Sequence, residues 1–103
     1  MAAKYKVIVA RRIHTMLLQH AEFIAQVSIP AAKRFRGEFA DVLNRLSTNP
    51  LQFPLYEDPN LPSDIYRGAL FAKWYKAVFL VSGDTVYLDA VVDCRAETNR
   101  IYE

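Results

Sequence analysis

A chain of 103 residues is long enough for one hydrophobic core and too short for two, so we expect a single domain over residues 1–103. Hydrophobic residues make up 52% of the sequence and no stretch is low in complexity, which argues against disorder. The net charge of +2 is too small to hold nucleic acid by overall charge, so any such contact requires a local cluster of basic residues.

The first predicted elements are a short strand and an amphipathic helix. Residues 4–10 alternate, with Tyr5, Val7 and Val9 on one face, which indicates a strand. A helix follows from Arg11, because apolar residues then return every three or four positions. Its expected apolar face comprises Ile13, Leu17, Ala21 and Ile24, widened by Met16, Phe23 and Val27.

A second helix is predicted over residues 31–47. Ser28 is expected to cap it, with Pro30 in its first turn, and Asn49-Pro50 ends it. The short joint makes the two helices an antiparallel hairpin. The apolar seam of the second helix consists of Ala32, Phe35, Phe39, Val42 and Leu46. Residues 50–64 contain four of the five prolines and show no regular period, which predicts a surface loop.

The remainder of the chain has the pattern of strands. We predict strands over residues 65–72, 74–81 and 85–92, with a turn at residues 82–84 between the last two. Alternation in the last strand places Val86, Leu88, Ala90 and Val92 on one face, and Tyr87, Asp89, Val91 and Asp93 on the other. The order β-α-α-β-β-β predicts an α+β fold, with an N-terminal helical hairpin on one face of a mostly antiparallel four-stranded sheet.

The sequence lacks the residue spacings of a disulfide framework, a zinc site or a membrane-spanning segment. Cys94 is the single cysteine, so an internal disulfide framework is excluded. His14 and His20 are six residues apart and do not share a helix face, and no zinc-ligand spacing occurs. We expect no metal and no small-molecule cofactor. No segment is apolar enough to span a membrane or to act as a signal peptide, so we expect a cytoplasmic protein.

This order of elements, with several short motifs, resembles the RelE/ParE toxin superfamily of bacterial type II toxin–antitoxin systems, the plasmid stabilisation proteins. The resemblance covers nearly the whole chain. Its motifs are Tyr5-Lys6-Val7-Ile8-Val9, Ser28-Ile29-Pro30-Ala31-Ala32, Leu46 with Asn49-Pro50, Tyr66-Arg67-Gly68-Ala69-Leu70, Trp74-Tyr75-Lys76-Ala77-Val78-Phe79 and Val91-Val92-Asp93-Cys94-Arg95.

The resemblance implies a growth-inhibiting toxin that is kept silent by a cognate antitoxin protein bound in an apolar groove. Some similar toxins cut messenger RNA on the ribosome, and others poison DNA gyrase. In the cutting members the site uses basic and aromatic side chains on the open sheet face and in the C-terminal segment. The matching positions here are Arg67, Lys76, Arg95 and Tyr102. Positioned cations suit this chemistry because attack of a ribose 2′-hydroxyl on phosphate builds negative charge.

The sequence also departs from the cutting pattern. Ala69 stands where a second basic residue is common, Lys76 stands where an arginine is common, and no histidine lies in the C-terminal half. The remaining candidate bases are Asp89, Asp93 and Glu97. Three functions therefore stay open, namely a ribosome-dependent endoribonuclease, a gyrase inhibitor without chemistry, and an inactive relative that keeps only antitoxin binding. Structural alternatives are that Arg67 and Lys76 are solvated strand residues and that Arg95 pairs with Asp93.

Overall fold

Two helices and four strands form the part of the chain that this computed structural model describes, residues 4–95. The elements in chain order are β1 (Lys6–Val9), α1 (Arg12–Ala25), α2 (Ile29–Thr48), a 3₁₀ turn (Pro50–Gln52), β2 (Tyr66–Phe71), β3 (Tyr75–Ser82) and β4 (Thr85–Asp93). The sheet order is β1-β4-β3-β2, with β1 parallel to β4 and the other pairs antiparallel. The predicted α+β fold is confirmed.

Helix α2 supplies most of the helical contribution to the core. All members of its predicted apolar seam are buried, because their spacing of three and four residues keeps them on one side of the helix. The Ser28 side-chain oxygen accepts a hydrogen bond from the Ala31 N–H at 3.2 Å, which confirms the predicted cap. The helix therefore begins directly after the cap, at Ile29, two residues earlier than predicted.

The apolar stripe of α1 is narrower than predicted. Ile13 is buried, and Leu17, Ala21 and Ile24 pack against the core. Phe23 and Val27 were expected to widen the stripe, but they are 58% and 87% exposed. Phe23 is rotated by about 100° from Ile24 around the helix axis, and Val27 lies beyond the last helical residue, Ala25. These two side chains therefore belong to the surface.

The segment 50–64 is not only a surface loop, as the prediction had it. Residues 54–56 run beside β2, where the Tyr56 N–H donates to the Tyr66 carbonyl at 2.8 Å and the Gly68 N–H donates to the Pro54 carbonyl at 3.0 Å. Phe53 and Tyr56 are buried. The segment thus covers part of the outer edge of β2, and its aromatic residues explain why the chain can pack there despite four prolines.

A β-bulge in β4 reverses the predicted alternation. Leu88 pairs with Phe79 and Ala90 pairs with Val78, so Asp89 and Ala90 together oppose one residue of β3. The helix-facing side of β4 consequently carries Val86, Leu88 and Val91, all of them buried in the core. The prediction that Ala90 and Val92 share this side is therefore wrong, because the extra residue shifts the phase by one.

Candidate functional site

Two of the sequence-predicted site residues lie on opposite faces of the sheet. Arg67 pairs with Phe79 and lies on the same side of β2 as Ala69, which is the side that the helices cover. Its Nη1 donates a hydrogen bond to the Phe53 carbonyl at 2.6 Å, so the guanidinium holds the 50–64 segment against the sheet. Arg67 is thereby directed away from the open face on which it was expected.

Lys76 lies on the open face of the sheet, the side opposite the helices. It pairs with Leu70 on one neighbouring strand and with Val92 on the other. Its Nζ is 5.6 Å from the centroid of the Tyr56 ring, which itself lies against Gly68. This cation–aromatic contact places an ammonium group at the surface of the open face.

Arg95 lies at the end of β4, next to the helical hairpin. Its guanidinium carbon is 4.3 Å from the centroid of the Trp74 ring, and its Nη2 is 3.1 Å from Asp93 Oδ2. The predicted fourth residue, Tyr102, lies outside the described residues. The structure does not bring Arg67, Lys76 and Arg95 together, and the catalytic role assigned to these four residues stays a prediction.

The Asp93–Arg95 pair also sets the charge state of its carboxylate. Burial raises the pKa of Asp93, but hydrogen bonds from the side chain and backbone of Arg95 outweigh it and hold this pKa below the ordinary value. A depressed pKa in the folded state means that the pair stabilises the fold above the unfolded-state pKa of about 4. This stabilisation is lost as the pH falls through the folded-state pKa.

We expect Asp93→Asn to lower the free energy of unfolding by at most about 1 kcal/mol near pH 7, because the side chains of the pair are 47% and 22% exposed. The difference from wild type should shrink as the pH falls below about 4 and the carboxylate becomes protonated in the folded state as well. Urea unfolding over a series of pH values from about pH 7 downward measures this, with the exposed Asp41→Asn as control. A loss that does not change with pH would contradict the assignment.

A groove separates the helical hairpin from the turn between β2 and β3. Its cavity volume is about 290 Å³. Ile24, Phe35 and Tyr75 contribute to its lining from the core side, and the exposed side chains of Phe23 and Val27 lie along it. Phe23 and Val27, which were predicted to widen the apolar face of α1, therefore form part of the wall of this groove.

The rim of the groove is positively charged. Arg34, Lys73 and Arg95 line it, and its single acidic residue, Glu38, accepts a hydrogen bond from the Ala72 N–H at 3.1 Å. Trp74 is 38% exposed at this rim.

The turn that presents Trp74 has a strained backbone. Ala72 and Lys73 have φ values of 48° and 75°, in the left-handed region, which costs about 1–2 kcal/mol for each non-glycine residue. The Lys73 Nζ lies 5.9 Å from the Trp74 ring centroid, and Arg95 also contacts this ring. The fold therefore retains an unfavourable turn next to Trp74, an exposed aromatic residue of the groove.

The open face of the sheet carries aromatic and apolar side chains beside a few charged groups. A row of side chains crosses all four strands, since Ile8 pairs with Tyr87, Tyr87 with Leu80, and Leu80 with Tyr66. Ile8 is 40% exposed and Tyr87 is 39% exposed. Asp89, two residues after Tyr87, lies on the same face.

Asp89 is at the centre of a small polar cluster on this face. The Tyr66 hydroxyl donates to its Oδ2 at 3.0 Å, and Arg12 Nε donates to its carbonyl oxygen at 2.8 Å. The hydrogen bond to Asp89 raises the pKa of Tyr66, as does burial, while the positive charge of Arg12 opposes the rise. The three side chains come from three elements, α1, β2 and β4.

Comparison with known proteins identifies the fold. No family model and no curated protein matches the sequence. A chain of the solved structure "Chromosomal ParDE TA system from P. aeruginosa" superposes with a TM-score of 0.68 over 89% of this chain and 98% of its own length, at 13% sequence identity. The chain shares the fold of that chain of a ParDE system. The fold that the resemblance implied is thus confirmed.

Within this fold, sequence reasoning missed the cluster around Asp89. Asp89 was one of three candidate bases with nothing to distinguish it, and Arg12 was not a candidate for the site. Nothing in the local pattern joins residues 12, 66 and 89, because the contacts link three elements that are distant in the chain. Among residues 4–95 no group of three or more histidine, cysteine, aspartate or glutamate side chains is placed to hold a metal ion. Neither helix in this range has the length and apolar character needed to cross a membrane.

Proposed function

We propose that this chain is the growth-inhibiting toxin of a type II toxin–antitoxin module, acts in the cytoplasm and is silenced by a cognate antitoxin protein. The observation that carries the proposal is the groove beside the helical hairpin of a RelE/ParE fold. Exposed Phe23, Val27 and Trp74 line it, and apolar side chains left exposed along a cleft are typical of a protein-binding surface.

The groove fits a segment of a partner protein better than a small molecule. It is open along the hairpin, and Arg34 and Lys73 outnumber its one carboxylate, which is already hydrogen-bonded, while Arg95 is paired with Asp93. An amphipathic segment with apolar anchors and flanking acidic residues complements such a surface, bound either as a helix in the groove or as an added strand. The antitoxin is the partner that the RelE/ParE resemblance implies.

We propose messenger RNA on the ribosome as the target and cleavage as the activity. The open face supports this, since it combines exposed aromatic rings with Lys76, Arg12 and a carboxylate. Unpaired bases stack on such rings, and cations neutralise the phosphate. The experiment is to add purified chain to a bacterial translation extract and map the 5′ ends of a defined message by primer extension. New ends that appear only on translated message are expected.

The second candidate is inhibition of DNA gyrase without chemistry. It is favoured by the separation of Arg67, Lys76 and Arg95, which removes the cation cluster expected of a ribonuclease. Intact message in the presence of folded protein would reject the cleavage proposal, and a gyrase supercoiling assay would then decide. A chain that affects neither target would be an inactive relative that keeps only antitoxin binding.

Expression in a bacterial host tests the toxin proposal itself. We expect growth arrest when the chain is produced alone, and recovery when the protein encoded by the neighbouring gene is produced with it. The arrest should persist with an unrelated protein in place of the neighbour. Normal growth at high levels of soluble chain would contradict the proposal.

A further inference from the structure

We infer that Asp89 is the general base of the proposed cleavage reaction, that Arg12 binds the scissile phosphate, and that Tyr66 positions the carboxylate. This inference rests on the proposed RNA cleavage. Its basis is that residues from α1, β2 and β4 come together on the open face of the sheet.

Ordinary strand alternation directs the Asp89 carboxylate to the open face. Leu88 faces the helices, so its neighbour Asp89 faces the opposite side. The bulge then keeps Ala90, which pairs with Val78, on the open side as well. Bulges are frequent next to active sites. The Tyr66 hydroxyl, 3.0 Å from Oδ2, then holds the carboxylate in one orientation.

The structure distinguishes among the three candidate bases, which the sequence could not rank. Asp93 accepts hydrogen bonds from the Arg95 backbone and side chain, and these hold its pKa low, which makes it a poor proton acceptor. Glu97 lies outside the described residues. Asp89 is half-buried, has one neutral donor on its carboxylate, and lies on the face where single-stranded RNA is proposed to bind.

Arg12 is suited to hold the phosphate beside this carboxylate. Its Nε donates to the Asp89 carbonyl at 2.8 Å, which anchors the guanidinium to the backbone of the base itself. The ion pair found within residues 4–95 joins Arg95 to Asp93, so Arg12 is not neutralised by a carboxylate in this range. The terminal nitrogens of an exposed, anchored arginine form a fork that matches two phosphate oxygens.

The neighbouring row supplies a surface for the bases. Tyr87 precedes Asp89 by two residues and is 39% exposed, and Ile8 beside it is 40% exposed. Aromatic and apolar side chains next to a cation bind single-stranded nucleic acid by stacking, without a requirement for sequence.

In the proposed reaction Asp89 accepts the proton of a ribose 2′-hydroxyl, and the 2′-oxygen forms a bond to the adjacent phosphorus. The bond from phosphorus to the 5′-oxygen of the next nucleotide breaks. The products are a 2′,3′-cyclic phosphate and a 5′-hydroxyl end, whose oxygen takes a proton from water. Asp89 then releases its proton to solvent, so protons and charge balance. Arg12 stabilises the negative charge that develops on the phosphate oxygens.

The test is single-turnover cleavage of message on programmed ribosomes with the toxin in excess. Asp89→Asn keeps an oxygen that accepts from Tyr66 and removes the base, and we expect a rate about 10²–10⁴-fold lower. Arg12→Ala, at an exposed position, should also lower the rate by more than about tenfold. The matched control is Arg11→Ala, the exposed neighbour, which should cut at the wild-type rate. Tyr66→Phe should lower the maximal rate without changing the half-saturating toxin concentration.

Two results overturn the inference and can be told apart. If wild-type chain cuts and folded Asp89→Asn or Arg12→Ala cuts equally fast, the assignment of these residues is wrong while the cleavage proposal stands. If wild-type chain arrests growth but leaves programmed message intact, the cleavage proposal and this inference fail together. Thermal unfolding of each variant by circular dichroism establishes that it is folded.

Discussion

Replacement of Phe35 by alanine is expected to lower the free energy of unfolding by about 3–5 kcal/mol. Phe35 is 1% exposed, and its ring centroid lies 4.8 Å from that of Tyr75 and 5.3 Å from that of Phe71. The substitution removes the apolar surface of the ring and leaves a cavity between α2 and the sheet. Since small domains are stable by only about 5–15 kcal/mol, most of the folding free energy of a marginal domain would be lost.

Urea unfolding followed by tryptophan fluorescence measures this effect, because Trp74 is the single tryptophan of the chain. The control is Arg36→Ala, the next residue in α2, which is exposed and should change stability by less than about 0.5 kcal/mol. A loss below about 1 kcal/mol in Phe35→Ala would show that the aromatic packing between helix and sheet is not as described.

Trp74→Ala is expected to weaken antitoxin binding by about 30-fold or more, corresponding to a loss of about 2 kcal/mol. Trp74 is an exposed aromatic residue at the groove, and it is flanked by the side chains of Lys73 and Arg95. Large aromatic residues in such positions contribute most of the affinity of protein interfaces. The substitution removes both the ring and the surface that orders its cationic neighbours.

Binding of the purified protein encoded by the neighbouring gene, measured by titration calorimetry, gives the dissociation constant. In cells, Trp74→Ala should still arrest growth but should no longer be relieved by that protein. Leu70→Ala is the matched control, since Leu70 is 54% exposed and lies on the open face away from the groove. Equal affinity of Trp74→Ala and wild type would place the antitoxin elsewhere on the toxin.

The helices of this protein were predicted from local pattern, although the apolar stripe of α1 was predicted too wide. The seam of α2 repeats every three or four residues, and all of its members are buried. Ser28 caps this helix as expected. Such features are legible in sequence because a helix hydrogen-bonds within itself, so that its ends and its buried face depend on residues close in the chain.

The candidate site was predicted less well, since it depends on contacts between distant residues. Arg67 was expected on the open face, but pairing with β3 directs it to the helix side, where it binds the Phe53 carbonyl. The 50–64 segment was expected to lie only on the surface, yet residues 54–56 bind the edge of β2. Neither arrangement has a local signal, because the register of a sheet is set by its partner strands.

Composition, helical periodicity and the order of elements were therefore sufficient for the α+β architecture and for the RelE/ParE resemblance. The positions of the functional groups depended on tertiary contacts, which join Asp89 to Tyr66 and Arg12. The bulge at Asp89 shifts the phase of the strand from Ala90 onward and returns Val91 to the core. The alternation of apolar and polar residues in the sequence does not reveal such a shift, because the bulge becomes apparent only when β4 is paired with β3.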